Sequence, residues 1–261
     1  MTEQTPASQP TGSATGIFLY GVVPADVEPT ADAKGVGDPP QPVSMVPYGD
    51  IAALVSEVSL DQPLGKPDDL RTYQQLLDGT ATVAAVLPVR FGTVLADRDA
   101  VTELLTTHHD AFLAALGELE GLVEYAVRGR YHDQVVLSEV VAENPEVTSL
   151  REQIVGQSED ATMNLRVRLG EMVNQAVEGK RNADTRRMVE ALEPFAERVV
   201  PLPPSHESDA ANVAALVRSE AQDEFDTAVE KLADEWSERA GVRLLGPLAP
   251  YDFVTLQQPA G

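Results

Sequence analysis

Residues 86–94 read Val-Leu-Pro-Val-Arg-Phe-Gly-Thr-Val, an apolar and largely β-branched segment that contains one proline and one arginine. Residues of this kind favour strands, and a proline is tolerated in a sheet only at an edge or a bulge. The segment and its flanks therefore predict two strands, Val83–Val89 and Phe91–Leu95, at the edge of a sheet.

The preceding residues predict the rest of that sheet. Ile17–Val23 is a short apolar run that ends at a proline, which is typical of a buried strand. Val43–Val46 and Ile51–Val58 flank a Pro-Tyr-Gly-Asp turn and predict a hairpin. The Pro- and Gly-rich residues 24–42 predict a long loop between these strands.

Two amphipathic helices are predicted to cover the sheet, one capped near Asp68 and one that begins at Asp97. Strands are also predicted at Val123–Arg128 and Val135–Val141. This order of elements favours an antiparallel sheet with helices on one face, as in ferredoxin-like folds. It defines an N-terminal α+β domain over residues 17–143.

Beyond residue 144 the helical periods lengthen, which predicts a separate helix-rich α+β domain over residues 144–256. Its predicted helices are Pro145–Gln157, Glu159–Phe195 and Glu220–Ala240. Its predicted strands are Val213–Val217, Val242–Leu245 and Tyr251–Leu256. A disordered leader is expected over residues 1–16 and a tail over residues 257–261.

The composition limits the partners. The chain has 261 residues, with 42 acidic side chains against 19 Lys and Arg, and a net charge of −23. A surface this acidic repels phosphate backbones and anionic lipids, so we expect no nucleic acid and no membrane partner. The N-terminus lacks the basic and apolar regions of a secretory signal, which favours a cytoplasmic location.

The residue patterns of common enzymes and cofactor sites are missing. The absence of cysteine excludes thiolate metal sites and cysteine nucleophiles. The adjacent His108 and His109 would diverge by about 100° on a helix and could not bind one ion together. No phosphate-binding loop or nucleophile elbow is present. The sequence therefore predicts a protein that is not an enzyme and has no metal and no cofactor.

Charge is concentrated on two predicted helices. The helix Glu220–Ala240 carries eight acidic and two basic residues, which indicates either a solvated outer face or a docking surface for a basic partner. The helix Glu159–Phe195 carries six of the basic residues, which could pair with acidic surface elsewhere in the protein or with another copy of it.

Five motifs follow one another along nearly the whole chain. They are LYGVV at Leu19–Val23, IAALVS at Ile51–Ser56, the segment 86–94, EYAVR at Glu124–Arg128 and GPLAPYDFV at Gly246–Val254. As an ordered set they resemble the gas vesicle accessory proteins of the F and L type. Tyr73 and Leu248 depart from this pattern, since relatives often have His and Trp at these positions.

The resemblance implies a non-enzymatic role in building gas vesicles, the hollow protein-walled organelles that provide buoyancy. It implies that the chain acts in the cytoplasm and at the vesicle, where it binds the small, hydrophobic gas vesicle shell protein and other vesicle accessory proteins. Members are regarded as minor vesicle components or as assembly factors that keep the shell protein from aggregating. The implied fold is two α+β domains, the first a variant of the ferredoxin-like arrangement.

Seven residues are candidates for the partner interface: Val86, Val89, Arg90, Phe91, Arg128, Tyr131 and Tyr251. The first four lie on the predicted edge strands, and the others are Arg and aromatic residues, which are enriched at binding hot spots. Arg90 could instead pair with a carboxylate, and Phe91 could instead belong to the core. A function of another class is a small-molecule-binding or catalytic α+β protein with a site between its domains.

Overall fold

The computed structural model describes residues 14–29 and 33–254. Of the predicted leader, residues 1–13 lie outside the described residues, and so does the whole predicted tail. The described part of the chain forms two antiparallel sheets and six α-helices, which confirms the predicted α+β class.

The chain divides into two compact units. One contains the residues up to 120 and those from 249 onward, and the other contains residues 121–248. The predicted boundary between residues 143 and 144 therefore falls inside the second unit. The change in composition near residue 144 marks the start of the long helices. The second unit already begins at residue 121, one strand and one helix earlier.

The sheet of the first unit has a central strand that is buried on both faces. Its strands are β1 (Thr15–Pro24), β2 (Ser44–Tyr48), β3 (Ile51–Ser59), β4 (Leu87–Pro88) and β5 (Val94–Leu95). They are ordered β2-β3-β1-β4, and β5 pairs with β1 beside β4. Since β1 has neighbours on both sides and is buried on both faces, its nearly continuous apolar sequence is explained.

Two helices, α1 (Pro67–Ala81) and α2 (Arg98–Glu118), belong to this unit. α1 packs Tyr73 and Leu77 against Phe18 and Tyr20. α2 begins after Asp97, whose side chain accepts a hydrogen bond from Ala100 N at 2.8 Å, and it contacts β1, β2 and β3 without joining the α1 cluster. The helices thus lie on opposite faces of the sheet, whereas the sequence predicted one face.

The second unit carries the ferredoxin-like order of elements, which the sequence analysis assigned to the first. Its strands are β6 (Leu122–Tyr131), β7 (Arg198–Pro201), β8 (Asp209–Arg218) and β9 (Ala240–Leu248). Its helices are α3 (Asp133–Glu143), α4 (Pro145–Ile154), α5 (Glu159–Leu192) and α6 (Gln222–Trp236). With three successive helices in the first crossover, the unit reads β-α-β-β-α-β, and its strands are ordered β7-β8-β6-β9.

Several predicted strands differ from the structure. Val135–Val141 is part of α3, because a short apolar run does not distinguish a strand from a buried helix by itself. Val83–Val89 and Phe91–Leu95 shrink to the two-residue strands β4 and β5. Residues 251–253 form a turn instead of a strand, and residues 255 and 256 lie outside the described residues.

The core of the second unit lies between its helices and one face of its sheet. Met188 and Leu192 of α5 and Phe225 of α6 are fully buried against alternate residues of β6 and β8. The long helix α5 continues through Gly170 and Gly179 without a break.

Candidate functional site

Residues 89–93 leave the edge of the first sheet as a short loop, here called the edge loop, and both of its ends are bonded to β1. The Val89 N–H donates to the Tyr20 carbonyl at 2.9 Å, and the Leu19 N–H donates to the Thr93 carbonyl at 3.0 Å. Hydrogen bonds to β1 therefore fix both ends of the edge loop.

The turn inside the edge loop is also well bonded. The N–H and hydroxyl of Thr93 donate to the Arg90 carbonyl at 3.2 and 2.8 Å. Gly92 has a φ of 87°, in the left-handed region that glycine adopts without steric cost. These bonds hold Arg90 at the tip, where its side chain is exposed and has no ion-pair or hydrogen-bond partner in the described part of the chain.

Behind the edge loop lies an aromatic cluster made of Phe18, Tyr20, Tyr73, Phe91 and Tyr251. The Phe91 ring centroid is 5.4 Å from that of Tyr73 and 5.6 Å from that of Phe18, both in edge-to-face geometry. Tyr20 and Tyr251 lie 6.1 and 6.4 Å from Tyr73. Such ring pairs contribute beyond their buried area, so Phe91 anchors the edge loop from inside.

Tyr73 is the centre of this cluster. Its hydroxyl donates a hydrogen bond to the Val89 carbonyl and so ties α1 to the edge loop. Burial, together with the nearby charge of Asp78, raises the pKa of Tyr73. The phenol therefore stays protonated as a donor, and Tyr73 has a structural role.

Asp78 of α1 binds the segment that follows β9. Its Oδ1 atom accepts hydrogen bonds from the Ala249 N–H at 2.9 Å and from the Tyr251 hydroxyl at 3.1 Å. Burial raises the pKa of Asp78, although these two bonds oppose the shift. The segment is thereby held in the first unit, with Ala249 fully buried.

The structure separates the predicted interface residues into core and surface. Val86 is 1% exposed and Tyr131 4% exposed, so both are core residues, and the prediction that they present a surface was wrong. Val89 and Phe91 are half-buried, and Arg90 is exposed. The first four candidates and Tyr251 belong to the first unit, whereas Arg128 and Tyr131 belong to the second.

Tyr131 takes part in a buried charge network of the second unit. Its hydroxyl donates to Asp184 Oδ2 at 2.5 Å, and Arg239 Nη1 donates to the same oxygen at 2.7 Å. Arg239 Nε lies 2.7 Å from Glu139, which also pairs with Lys180 at 3.0 Å. The network links β6, α3 and α5 to the turn before β9.

The ionisation of this network follows from its pairing. Burial would raise the pKa of Glu139, but the bonds from Arg239 and Lys180 outweigh it, so the pKa is lowered. Burial and the bond to Asp184 raise the pKa of Tyr131. Glu139 is thus held in its charged form and Tyr131 in its neutral form, which indicates a structural role.

The two charged helices differ in how their charges are used. α6 buries Phe225, Val229 and Leu232, and it exposes most of its acidic residues to solvent. Several basic residues of α5 pair within the second unit: Arg168 with Glu146, Lys180 with Glu139 and Glu143, and Arg187 with Asp184. The acidic face therefore stays accessible, whereas much of the basic charge is already paired.

Within residues 14–29 and 33–254, no group of three or more His, Asp or Glu side chains is arranged to hold a metal ion.

A groove of about 490 Å³ between α3, α4 and α5 has a mainly apolar lining that includes Leu137, Val141 and Leu169. In the described part of the chain, no helix is both long and apolar enough to cross a bilayer.

Sequence reasoning missed Asp78 and Asp184. The position of Asp78 was the available signal. It comes directly after the buried Leu77 of α1, where a carboxylate without a partner would be unfavourable. Its partner lies 171 residues away along the chain. Such a pairing cannot be deduced from local pattern.

Comparison with known proteins gives one family. The sequence model described as "Gas vesicle synthesis protein GvpL/GvpF" matches residues 16–255. Gas vesicle protein F of Streptomyces sp. (strain CB03234) is 36% identical over 242 residues, which cover 91% of this chain and 98% of that protein. Gas vesicle protein F of Dolichospermum flosaquae is 24% identical over 92% of this chain and 98% of that protein.

Solved structures agree in fold. The crystal structure of the gas vesicle protein GvpF from Anabaena sp. PCC7120 has a TM-score of 0.76 and 23% identity, and it covers 94% of this chain and all of that one. The crystal structure of gas vesicle protein GvpF from Microcystis aeruginosa has a TM-score of 0.75 and 22% identity, covering 92% of this chain and 99% of that one. These likenesses support the two-sheet α+β architecture.

Proposed function

Because the chain belongs to the GvpL/GvpF family of gas vesicle synthesis proteins, we propose that it is an assembly factor that binds the hydrophobic shell protein of the vesicle wall and prevents its aggregation. Family membership already establishes a gas vesicle accessory role. The family is one of accessory proteins and is not known for enzymes. The partner, the contact surface and the chaperone-like action are the proposed part.

The physical requirement for such a factor is to cover apolar surface and keep the complex dispersed. A shell subunit that contacts gas on one side exposes apolar strands before assembly, and exposed strand edges pair with other chains. The net charge of −23 supports this role, because like-charged complexes repel one another and stay in solution. Part of that charge is presented by the exposed face of α6.

The edge loop is the contact surface that we propose for the shell protein. It combines an exposed Arg90 with the half-buried apolar side chains of Val89 and Phe91, and arginine and aromatic residues are enriched at interface hot spots. The backbone bonds of the loop are already made in the free protein, so binding would order few residues. This preformed, exposed tip is the observation that carries the assignment.

Side-chain contact is favoured over the addition of a long strand at this edge. β4 and β5 have two residues each, and Pro88 has no N–H to donate to a neighbouring strand. Short strands and proline are devices that block pairing at sheet edges. We therefore propose that the edge loop inserts Arg90 and its apolar neighbours against the shell subunit.

Co-expression with the shell protein tests both parts of the proposal. The wild-type chain should keep shell protein in the supernatant after centrifugation and should retain it in a pull-down. Arg90→Glu should lower the soluble fraction, because a reversed charge at the tip opposes the contact. Arg71→Glu on α1 is the matched control, since Arg71 is also exposed in the first unit.

The outcomes separate the partner from the surface. If the wild-type chain leaves the shell protein as insoluble as an empty vector does, the proposed partner is wrong. If Arg90→Glu and Arg71→Glu both behave like wild type, the partner stands and the edge loop is not its contact. Circular dichroism and the melting temperature of each variant show whether it has folded.

A further inference from the structure

Two arginines lie directly opposite each other on neighbouring strands of the second sheet. Arg128 of β6 and Arg243 of β9 are paired in register, so their side chains leave the same face of the sheet. Both are exposed, and within the described ranges neither has an ion-pair or hydrogen-bond partner. Like charges directly opposite each other destabilise a strand pair, so a contribution to stability does not explain this pair of arginines.

The face that carries these arginines points away from α5 and α6. The next residue on β6, Gly129, faces Trp236 and Met188, and side chains alternate along a strand. Arg130 lies two residues beyond Arg128 and therefore on its side of the sheet.

The three arginines differ in their pairing. Arg130 forms an ion pair with Asp209, with 3.8 Å between Nε and Oδ1, whereas Arg128 and Arg243 have no ion pair within the described residues. Asp209 Oδ2 already accepts from the Ser205 N–H and hydroxyl and from the His206 N–H. Arg128 and Arg243 therefore form an uncompensated positive patch in a chain of net charge −23.

The patch borders an open strand edge. β9 is the last strand of its sheet, and Gly241, Arg243 and Leu245 are exposed along it. The outer N–H and C=O groups of such an edge can pair with an added strand. Pro247 ends the stretch that can donate, so residues 240–245 form the available edge.

The positive charge of Arg243 determines which kind of added strand the β9 edge favours. A second copy that paired through its own β9 would bring arginines toward Arg243, and like charges across strands repel. An added strand with carboxylates on alternate residues would instead place one of them opposite Arg243, where Arg–carboxylate hydrogen bonds are strong.

We propose that the β9 edge of the second unit, with Arg128 and Arg243 beside it, binds an acidic, extended segment of a partner protein by strand addition. Arg243 pairs with a carboxylate of the added strand, and Arg128 reaches across β9 to the same carboxylate or its neighbour. This surface is independent of the proposed shell contact, because it lies in the other unit and selects a charged partner instead of an apolar one.

The test uses the full-length chain and a fluorescent ten-residue peptide in which Glu alternates with Val and Thr. A peptide with Lys in place of Glu is its counterpart. Fluorescence anisotropy should show that the Glu peptide binds and that salt weakens the complex. Arg128→Glu combined with Arg243→Glu should lower the affinity for the Glu peptide at least about tenfold and should create affinity for the Lys peptide.

Arg151→Glu on α4 combined with Arg186→Glu on α5 is the matched control, because it changes the net charge equally at exposed positions. It should leave the affinity for the Glu peptide within about twofold. Hydrogen exchange should slow in residues 240–245 when the Glu peptide is added, since new backbone bonds protect the amides. Circular dichroism verifies that each variant is folded.

Four results would overturn the inference. These are equal binding of the Lys and Glu peptides to the wild-type chain, an equal loss of affinity in the control variant, unchanged exchange in residues 240–245, and Arg243-dependent binding of anionic lipid vesicles or DNA without binding of the Glu peptide. A dimer that Arg243→Glu dissociates in sedimentation would assign the edge to a second copy and would also overturn it.

Discussion

The carboxylate of Asp78 and the hydroxyl of Tyr251 lie 3.1 Å apart, although 173 residues separate them in the chain. The same carboxylate oxygen accepts the Ala249 N–H, so one side chain of α1 holds both ends of a short segment. Tyr251 in turn contacts Tyr73 of the aromatic cluster. The segment that follows the second unit is thereby built into the first.

Removal of this carboxylate should loosen the segment after β9. We expect Asp78→Ala to lower the free energy of unfolding by about 1–3 kcal/mol, because two donors lose their acceptor, and Tyr251→Phe to lower it by about 1 kcal/mol. Urea denaturation measures both, and limited proteolysis detects release of the segment. Asp61→Ala, at an exposed position, is the control, and an equal effect there would contradict the assignment.

Asp69 should make the stability depend on acid. Burial raises the pKa of Asp69, but the N–H groups of Gly37, Gly65 and Lys66 outweigh it, so the pKa lies below the usual 3.8. A carboxyl with a lowered folded pKa stabilises the protein above 3.8, and this contribution is lost as the pH falls through the folded value. We expect Asp69→Asn to be less stable at neutral pH.

The pH dependence itself distinguishes this effect from a general weakening. Urea midpoints measured from pH 7 downward should fall less steeply below 3.8 in Asp69→Asn than in the wild type, because the variant has lost one group that must be protonated. Parallel curves for the two proteins would show that the backbone bonds to Asp69 do not shift its ionisation.

A methyl group at Gly35 should clash with a buried hydroxyl pair. A Cβ atom there would lie 2.3 Å from Ser56 Oγ and 2.5 Å from the Tyr20 hydroxyl, and these hydroxyls are bonded to each other at 2.8 Å. We expect Gly35→Ala to cost about 1–3 kcal/mol in free energy of unfolding.

Gly79→Ala is the matched control for that change. Gly79 lies inside α1 with no atom within 4 Å of an added Cβ, so alanine should stabilise the helix by up to about 1 kcal/mol. Thermal melting of both variants checks the contrast. Shifts of the same sign would refute the proposed clash at Gly35.

Removal of the guanidinium of Arg239 should lower the free energy of unfolding, because Arg239 pairs with Glu139 and Asp184 in the buried charge network. Arg239→Met leaves Asp184, whose side chain is 3% exposed, with only the longer contact to Arg187 at 3.7 Å, and we expect a loss of about 3 kcal/mol in free energy of unfolding. Tyr131→Phe removes one donor and should cost about 1 kcal/mol. Urea denaturation gives both values.

Lys231→Met provides the surface comparison for the network. Lys231 is 79% exposed and pairs with Glu235 at only 3.9 Å, so its loss should cost less than about 0.5 kcal/mol. A similar cost for Arg239→Met and Lys231→Met would mean that the buried network does not stabilise the second unit.

Local patterns accounted for the elements whose neighbours in sequence are also their neighbours in space. The apolar run of β1, the hairpin of β2 and β3, the cap of α2 at Asp97 and the buried stripe of α6 follow from residues within one or two turns or strands. The five ordered motifs further predicted the family. The sequence left open whether Arg90 pairs with a carboxylate or contacts a partner; in the structure its side chain is exposed and unpaired within the described residues, and the partner contact stays a prediction.

Long-range pairing settled what these patterns could not. Three features join segments about 80 or more residues apart: the assignment of β6 to the second sheet, the return of Tyr251 to Asp78 and the alignment of Arg128 with Arg243. Val86 and Tyr131 look like surface candidates until the packing around them is known. An amino-acid pattern reports the preference of a segment for an environment, whereas the chain as a whole supplies that environment, so only folding brings these partners together.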